Sequence, residues 1–272
     1  MFYDNGQYLD CLEFCSASLR HNPDNSDALL LKGLCYNRLN FFDSAIYFFN
    51  RVNLAKLKLL TNADLYFGRG VAEYNSKNYD KAIEDFDACN KITVDQWKVL
   101  SPLGLCYYYI NNFDSAVKFI EKSLQLKDIP QLYYFLASSY KQKENYISAI
   151  VYYEKSVEAN LNLLDSYMQL SYCKIQIENY KEAEYFAKEA LNIDTSSPFA
   201  NLCLANSLYG QEKLFDMLES ALKAIKHYPN NPYANFYLAI AYGQRKDSVN
   251  SFLYFNKSIG LSKDPFFVEK RV

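Results

Sequence analysis

Glycine, histidine and a surplus of either charge are all scarce in this 272-residue chain. Only eight Gly are present, which leaves little material for the glycine-rich loops that cradle phosphates. Two His occur, His21 and His227, too few and too far apart in the chain to suggest a His-based catalytic pair. Acidic and basic residues nearly cancel, to a net charge of −2. No cationic excess exists to neutralise a phosphate backbone, so nucleic acid and an anionic membrane surface are not expected partners. No apolar run approaches the ~18–20 residues that cross a bilayer, so no membrane span is expected. Met1-Phe2-Tyr3-Asp4-Asn5 has neither the basic nor the apolar region of a secretory signal. The seven Cys fall at irregular spacings, without a C-x2-C pair for zinc. With no export signal read, they point to reduced thiols and a cytoplasmic location. No Walker loop, no G-x-S-x-G and no dinucleotide fingerprint is found. The expectation is a non-enzyme with no cofactor, metal or catalytic residue. What the chain has in excess is aromatic surface, with 26 Tyr and 19 Phe.

A period organises that excess. Asn40-Phe41-Phe42-Asp43-Ser44-Ala45 recurs as Asn78-Tyr79-Asp80-Lys81-Ala82, Asn112-Phe113-Asp114-Ser115-Ala116, Asn145-Tyr146-Ile147-Ser148-Ala149 and Asn179-Tyr180-Lys181-Glu182-Ala183. The alanines are separated by 37, 34, 33 and 34 residues. Steps of 34 extend the register to Met217 and Ser251 and back to Cys11. Twelve residues before each stands a small residue: Gly33, Gly70, Gly104, Ala137, Ser171, Ala205 and Ala239. Nine before, an aromatic is frequent: Tyr36, Tyr107, Tyr140 and Tyr242. Four after stands a side chain, mostly bulky, such as Phe49, Phe86, Ile120 or Tyr153. Leu100-x2-Leu103-Gly104-x2-Tyr107 and Tyr133-x2-Leu136-Ala137-x2-Tyr140 are the cleanest local matches.

This pattern resembles the tetratricopeptide repeat, whose ~34-residue unit folds as two antiparallel helices. The resemblance implies an all-α fold, a right-handed α-α superhelix of about seven and a half units along 1–272. The units run approximately 1–25 (second helix only), 26–62, 63–96, 97–129, 130–163, 164–197, 198–231 and 232–264, and 265–272 opens a truncated helix. Apolar residues at i, i+3, i+4 and i+7 agree with helices. Thr61 with Asp64 reads as a capping box, and Ser197-Pro198, Asn231-Pro232 and Asp264-Pro265 as caps before a first-turn proline. The extra residues between Ala45 and Ala82 predict a second helix longer by about one turn. Pro102 predicts a late helix start, at Ser101-Pro102. His21 and His227 fall near ends of second helices, where a cation is favoured. Cys11 and Cys15, four apart, occupy core positions, as do Cys35, Cys106 and Cys173 in a shared register.

Counting each alanine as position 20, positions 4, 7, 8 and 11 of a first helix face its partner. Positions 2, 5, 9 and 12 form a second stripe, rotated by roughly 130° at about 100° per residue. In the family this stripe, with position 13, lines a concave surface. Here it carries Phe67, Tyr74, Tyr108, Tyr109, Tyr134, Met168, Tyr172, Ile175, Leu202, Tyr209, Tyr233 and Phe236, with Lys141 and Asn206 among its polar members. Apolar surface beyond a few hundred Å² marks an interface, so the expected function is a scaffold that receives an apolar or amphipathic peptide or helix. A tightly wound superhelix burying these rings itself is the competing expectation. The family's clamp for chaperone C-terminal carboxylates needs Lys, Asn, Asn, Lys and Arg at five positions. Leu30, Leu34, Gly68, Lys98 and Pro102 stand there, and only Lys98 fits. Two further alternatives are a homodimer through the unfinished N-terminal end and a regulatory arm of a longer enzyme.

Overall fold

A computed structural model of the chain describes residues 6–262, and the Asp264-Pro265 cap and the helix expected from 265 lie outside the described residues. Fifteen α-helices and no strand are found among them. The chain divides into two compact units, Met1–Ser139 and Tyr140–Val272.

The first unit opens with α1 (Tyr8–His21), then pairs α2 (Ser26–Arg38) with α3 (Phe42–Phe49). It continues with α4 (Asn62–Asn75) and α5 (Tyr79–Thr93), then α6 (Trp97–Tyr109) and α7 (Phe113–Leu126), and reaches into α8 (Tyr133–Gln142). The second unit holds α9 (Tyr146–Glu158), α10 (Leu163–Gln176), α11 (Tyr180–Ile193), α12 (Pro198–Gly210), α13 (Met217–His227), α14 (Pro232–Gln244) and α15 (Ser248–Leu261). Within each unit, helices next in sequence pack as hairpins. First helices also touch the first helix of the following hairpin, α2 with α4, α4 with α6, α10 with α12 and α12 with α14.

One device makes every turn inside a hairpin. Asn40, Lys77, Asn111, Glu144, Glu178, Glu212 and Lys246, each five before the alanine position, all adopt φ near +60°. The left-handed conformation costs a non-glycine residue roughly 1–2 kcal/mol. It is offset because the residue's own amide and the next one reach back to helix carbonyls that would otherwise be orphaned, a Schellman closure. In the third hairpin Asn111 N–H donates to Tyr108 O at 3.0 Å and Asn112 N–H to Tyr107 O at 2.9 Å. Asn112, Asn145 and Asn179 then cap the next helix, accepting from the amides of Ser115, Ser148 and Glu182. In these three hairpins the recurring asparagine is a cap, whereas Asn40 is itself the left-handed residue and Asn78 donates its side-chain amide to Glu73 Oε2 at 2.7 Å. The Thr61–Asp64 capping box and the caps at Ser197 and Asn231 also form.

The small positions are packing holes. A Cβ on Gly33 would lie 2.5 Å from the Phe49 ring, and one on Gly70 2.9 Å from Phe86. In the second unit Ser171 fills the hole and its Oγ donates to Ala183 O at 2.8 Å. Ala205 and Ala221 meet as two small residues in one cluster. The aromatic nine before the alanine also has a partner, a ring twelve residues later. Tyr36 stacks on Phe48, Tyr107 on Phe119, Tyr140 on Tyr152 and Tyr242 on Tyr254, with planes within 3° to 7° of parallel. These eight rings hold hairpins closed.

Two expectations are corrected. The insertion does not lengthen a helix: α3 is the shortest helix, ending at Phe49, and the extra residues form a 3-10 turn at Leu54–Lys56 and a loop. Asp27 holds that loop by accepting the amides of Lys58, Leu59 and Leu60 at 3.0–3.2 Å. Nor does α6 start late. It begins at Trp97 and runs through Pro102, because the first turn buries Val99 and Leu100 completely or nearly so, which outweighs the lost hydrogen bond.

Candidate functional site

In the first unit the stripe of α4, α6 and α8, joined by Tyr79 of α5 and Phe135 of α8, forms a continuous bed of rings. Tyr74 lies 6.1 Å from Tyr109, which stacks on Tyr79 at 4.8 Å. Tyr109 meets Tyr108 at 5.4 Å and Phe135 at 6.2 Å, and Phe135 touches Tyr134 at 5.9 Å. Edge-to-face and tilted geometries dominate, as ring quadrupoles prefer. Tyr109 is 40% exposed, the other stripe rings of this unit half-buried. Burial, then the neighbouring Tyr109, raises the Tyr74 hydroxyl well above its ordinary range. The Tyr108 hydroxyl lies 3.2 Å from Ser138 Oγ. These hydroxyls add hydrogen-bonding capacity to the aromatic bed.

Beside that bed the same unit opens a groove of about 1600 Å³. Its apolar lining includes Phe14 of α1, Leu31 and Leu34 of α2, Phe67 and Val71 of α4, and Leu59 of the insertion loop. Asn37 and Arg38, positions 12 and 13 of the second repeat, bring polar groups to it. Of the groove's lining, Phe67 and Val71 belong to the stripe expected from sequence. Asn37 and Arg38 obey the same stripe rule one repeat earlier. Leu59, 86% exposed, was hidden because the insertion reads as helix.

In the second unit Tyr172 sits 6.3 Å from Tyr146 and 6.4 Å from Phe199. Burial, then Tyr146, raises its hydroxyl. Lys141 donates to Gln169 Oε1 at 2.9 Å and lies 5.8 Å from the Tyr172 ring. Met168 Sδ accepts from Ser197 Oγ at 3.3 Å. Leu202, Asn206 and Tyr209 are half-buried and Tyr233 is 39% exposed. Phe236 departs from expectation. It is 4% exposed, packed on Tyr209 at 5.8 Å and Tyr237 at 5.9 Å, so it belongs to the core. Ile175 is also core, against Ala183, Ala187 and Cys203.

All seven cysteines are free and buried. Burial pushes the Cys106, Cys173 and Cys203 thiols up to about 12; burial and then Cys11 do the same for Cys15. These thiols stay protonated at neutral pH, unlike a nucleophile or metal ligand. Cys11 and Cys15 pack with Cys35. His21 and His227 are the last residues of α1 and α13. Among the described residues no group of three or more His, Cys, Asp or Glu could hold a metal ion. No helix there is long and apolar enough to cross a membrane.

Sequence models of the tetratricopeptide repeat match residues 2–57, 63–93, 102–129 and 130–163, more than half of the chain. The chain is a tetratricopeptide repeat protein. This repeat protein is 20% identical over 219 residues to BBSome complex member BBS4 of Bos taurus, covering 80% of this chain and 42% of that protein. It is 24% identical over 186 residues to mitochondrial import receptor subunit TOM70 of Saccharomyces cerevisiae, covering 64% of this chain and 28% of that protein. The chain thus spans less than half the length of either relative. Among solved structures it is similar to YrrB, a TPR protein with an unusual peptide-binding site. The TM-score is 0.57 at 18% identity, over 70% of this chain and 100% of that one. At that identity the likeness carries the fold, an α-α superhelix. Tetratricopeptide repeats make the protein a protein–protein interaction scaffold.

Proposed function

We propose that the protein is a non-enzymatic scaffold whose first-helix stripe receives an apolar or amphipathic peptide or helix of a partner. One observation carries this reading. The rings that close hairpins are paired within the hairpin at one geometry, whereas the stripe rings are additional, irregular and left partly open. The first set closes four of the hairpins; the second adds apolar surface that hairpin closure does not use. Tyr suits that role, presenting a large rigid face and a hydroxyl at low entropic cost. A groove of about 1600 Å³ is large enough for a peptide segment. That BBS4 is a member of a complex and TOM70 a receptor subunit supports a role in binding other proteins. Free, buried cysteines are consistent with a reducing compartment, and we retain the cytoplasm as its place of action.

The test begins with affinity capture and mass spectrometry to name a partner, followed by titration of that partner against variants. Replacing Tyr109 and Tyr233 with Ser is expected to weaken binding at least about tenfold, or 1.4 kcal/mol. The melting temperature is expected to shift by only a few degrees. Unchanged affinity in both variants would refute the stripe as the binding surface.

A further inference from the structure

Lys141 stands out among the enclosed cations of the second unit. Its ammonium is half-buried between α8 and α10, held only by the amide oxygen of Gln169 at 2.9 Å and the face of Tyr172 at 5.8 Å. Among the described residues no carboxylate pairs with it. Lys174, the other enclosed lysine of this unit, is treated differently: it bridges Glu154 at 3.4 Å and Glu182. Even the more exposed Lys188 and Lys213 share Glu184. Removing an ammonium from water without a counter-charge is unfavourable. A neutral amide and an aromatic face offset that only in part. Consistently, burial lowers the affinity of Lys141 for its proton. Nothing in hairpin packing needs a cation here, since Lys141 occupies position 12 of the stripe and both its contacts come from the stripe side of the next first helix. The surface next to it is aromatic: Tyr172, with Tyr146 and Phe199 packed on its ring.

We infer that Lys141 is the anchor for a carboxylate on the partner, and that the ligand of this unit is an acidic amphipathic segment. It would place an Asp or Glu side chain at Lys141 and an apolar side chain over Tyr172 and Phe199. The missing counter-ion is supplied on binding. A pair partly shielded from water is worth more than the same pair on an open surface. A nucleic acid phosphate is a poorer fit, because the chain offers no basic track around this single charge. The inference rests on the proposed role of the stripe and sharpens it by naming the chemistry of the ligand.

Two synthetic 18-residue peptides, both C-terminally amidated to remove the terminal carboxylate, provide the probe. They share one apolar face of Leu and Phe at helical spacing and differ only in carrying Glu or Gln on its flanks. Calorimetric titration of the full chain is expected to show the Glu peptide binding about tenfold more tightly. Lys141→Met should abolish that preference, bringing the two peptides to equal affinity, and Lys141→Glu should reverse it. The melting temperature of Lys141→Met should not fall, since the change removes an unpaired buried charge. Equal affinities in the wild type, or a Glu preference that survives Lys141→Met, would overturn the Lys141 assignment and leave the stripe reading standing. A loss of several degrees in Lys141→Met would identify a structural cation and overturn it as well. Failure of both peptides to bind the wild type would count against the stripe itself, and the inference would fall with it.

Discussion

Two populations of aromatic residues coexist on these helices. The hairpin stacks, such as Tyr107 on Phe119 and Tyr242 on Tyr254, repeat one geometry in both units, with centroids 5.4–6.0 Å apart and planes nearly parallel. The stripe rings lack that parallel stacking, their planes meeting at 55° for Tyr74 and Tyr109 and at 76° for Tyr108 and Tyr109. Sequence separation explains the contrast. A stack joins residues twelve apart across one tight turn, so the turn dictates the approach. Stripe contacts mostly cross between successive hairpins, where local identity decides which rings meet. The regular rings are thus accounted for by the fold, and the irregular ones are where selection for a partner can act.

The comparison can be broken by mutation. The largest effect is expected on removing a stack. Tyr107→Ala deletes a ring packed on Phe119 and should cost about 2–3 kcal/mol. Tyr109→Ala, on the partly open stripe, should cost only about 1 kcal/mol. Thermal or urea unfolding of both variants measures the difference, and equal losses would erase the distinction. A smaller and pH-dependent effect is expected at Glu184, which couples α11 to the segment after α12 by charge in place of rings. Burial pushes its carboxyl up, but hydrogen bonds from Lys188, Lys213 and Gln211 outweigh burial and hold it at about 2. A carboxyl whose folded pKa is depressed stabilises the fold above its unfolded value near 4.5. That stabilisation is lost as pH falls toward 2. Glu184→Gln should therefore cost about 1–2 kcal/mol at neutral pH, because the lysines are exposed. It should also flatten the acid limb of the stability curve between about pH 4.5 and 2.

Much of the fold is legible because the repeat is local physics written eight times. The small positions, the caps at Thr61, Ser197 and Asn231 and the helix-terminal histidines each depend on neighbours within a few turns. What resisted reading depends on context at longer range. Tyr233 and Phe236 share one stripe by counting, yet Tyr209 and Tyr237 enclose the second and leave the first open. Pro102 signals a helix start, but burial of Val99 and Leu100 extends the helix past it. The insertion after α3 reads as one more helical turn, while Asp27, some thirty residues earlier, gathers three of its amides into a loop. The groove was missed for the same reason, since that loop supplies part of its wall. The aromatic nine before the alanine is visible in the sequence; its partner twelve residues on is set by the turn geometry that brings the two rings together.

Hydroxyl-radical footprinting of the tyrosines, with and without a bound partner, tests the central claim most directly. Tyr109 and Tyr233 lie on the stripe, whereas Tyr47 and Tyr185, 59% and 56% exposed, lie on second helices. The account predicts that binding protects Tyr109, Tyr233 or both and leaves Tyr47 and Tyr185 fully reactive. Protection of Tyr47 and Tyr185, with the stripe tyrosines unchanged, would contradict it.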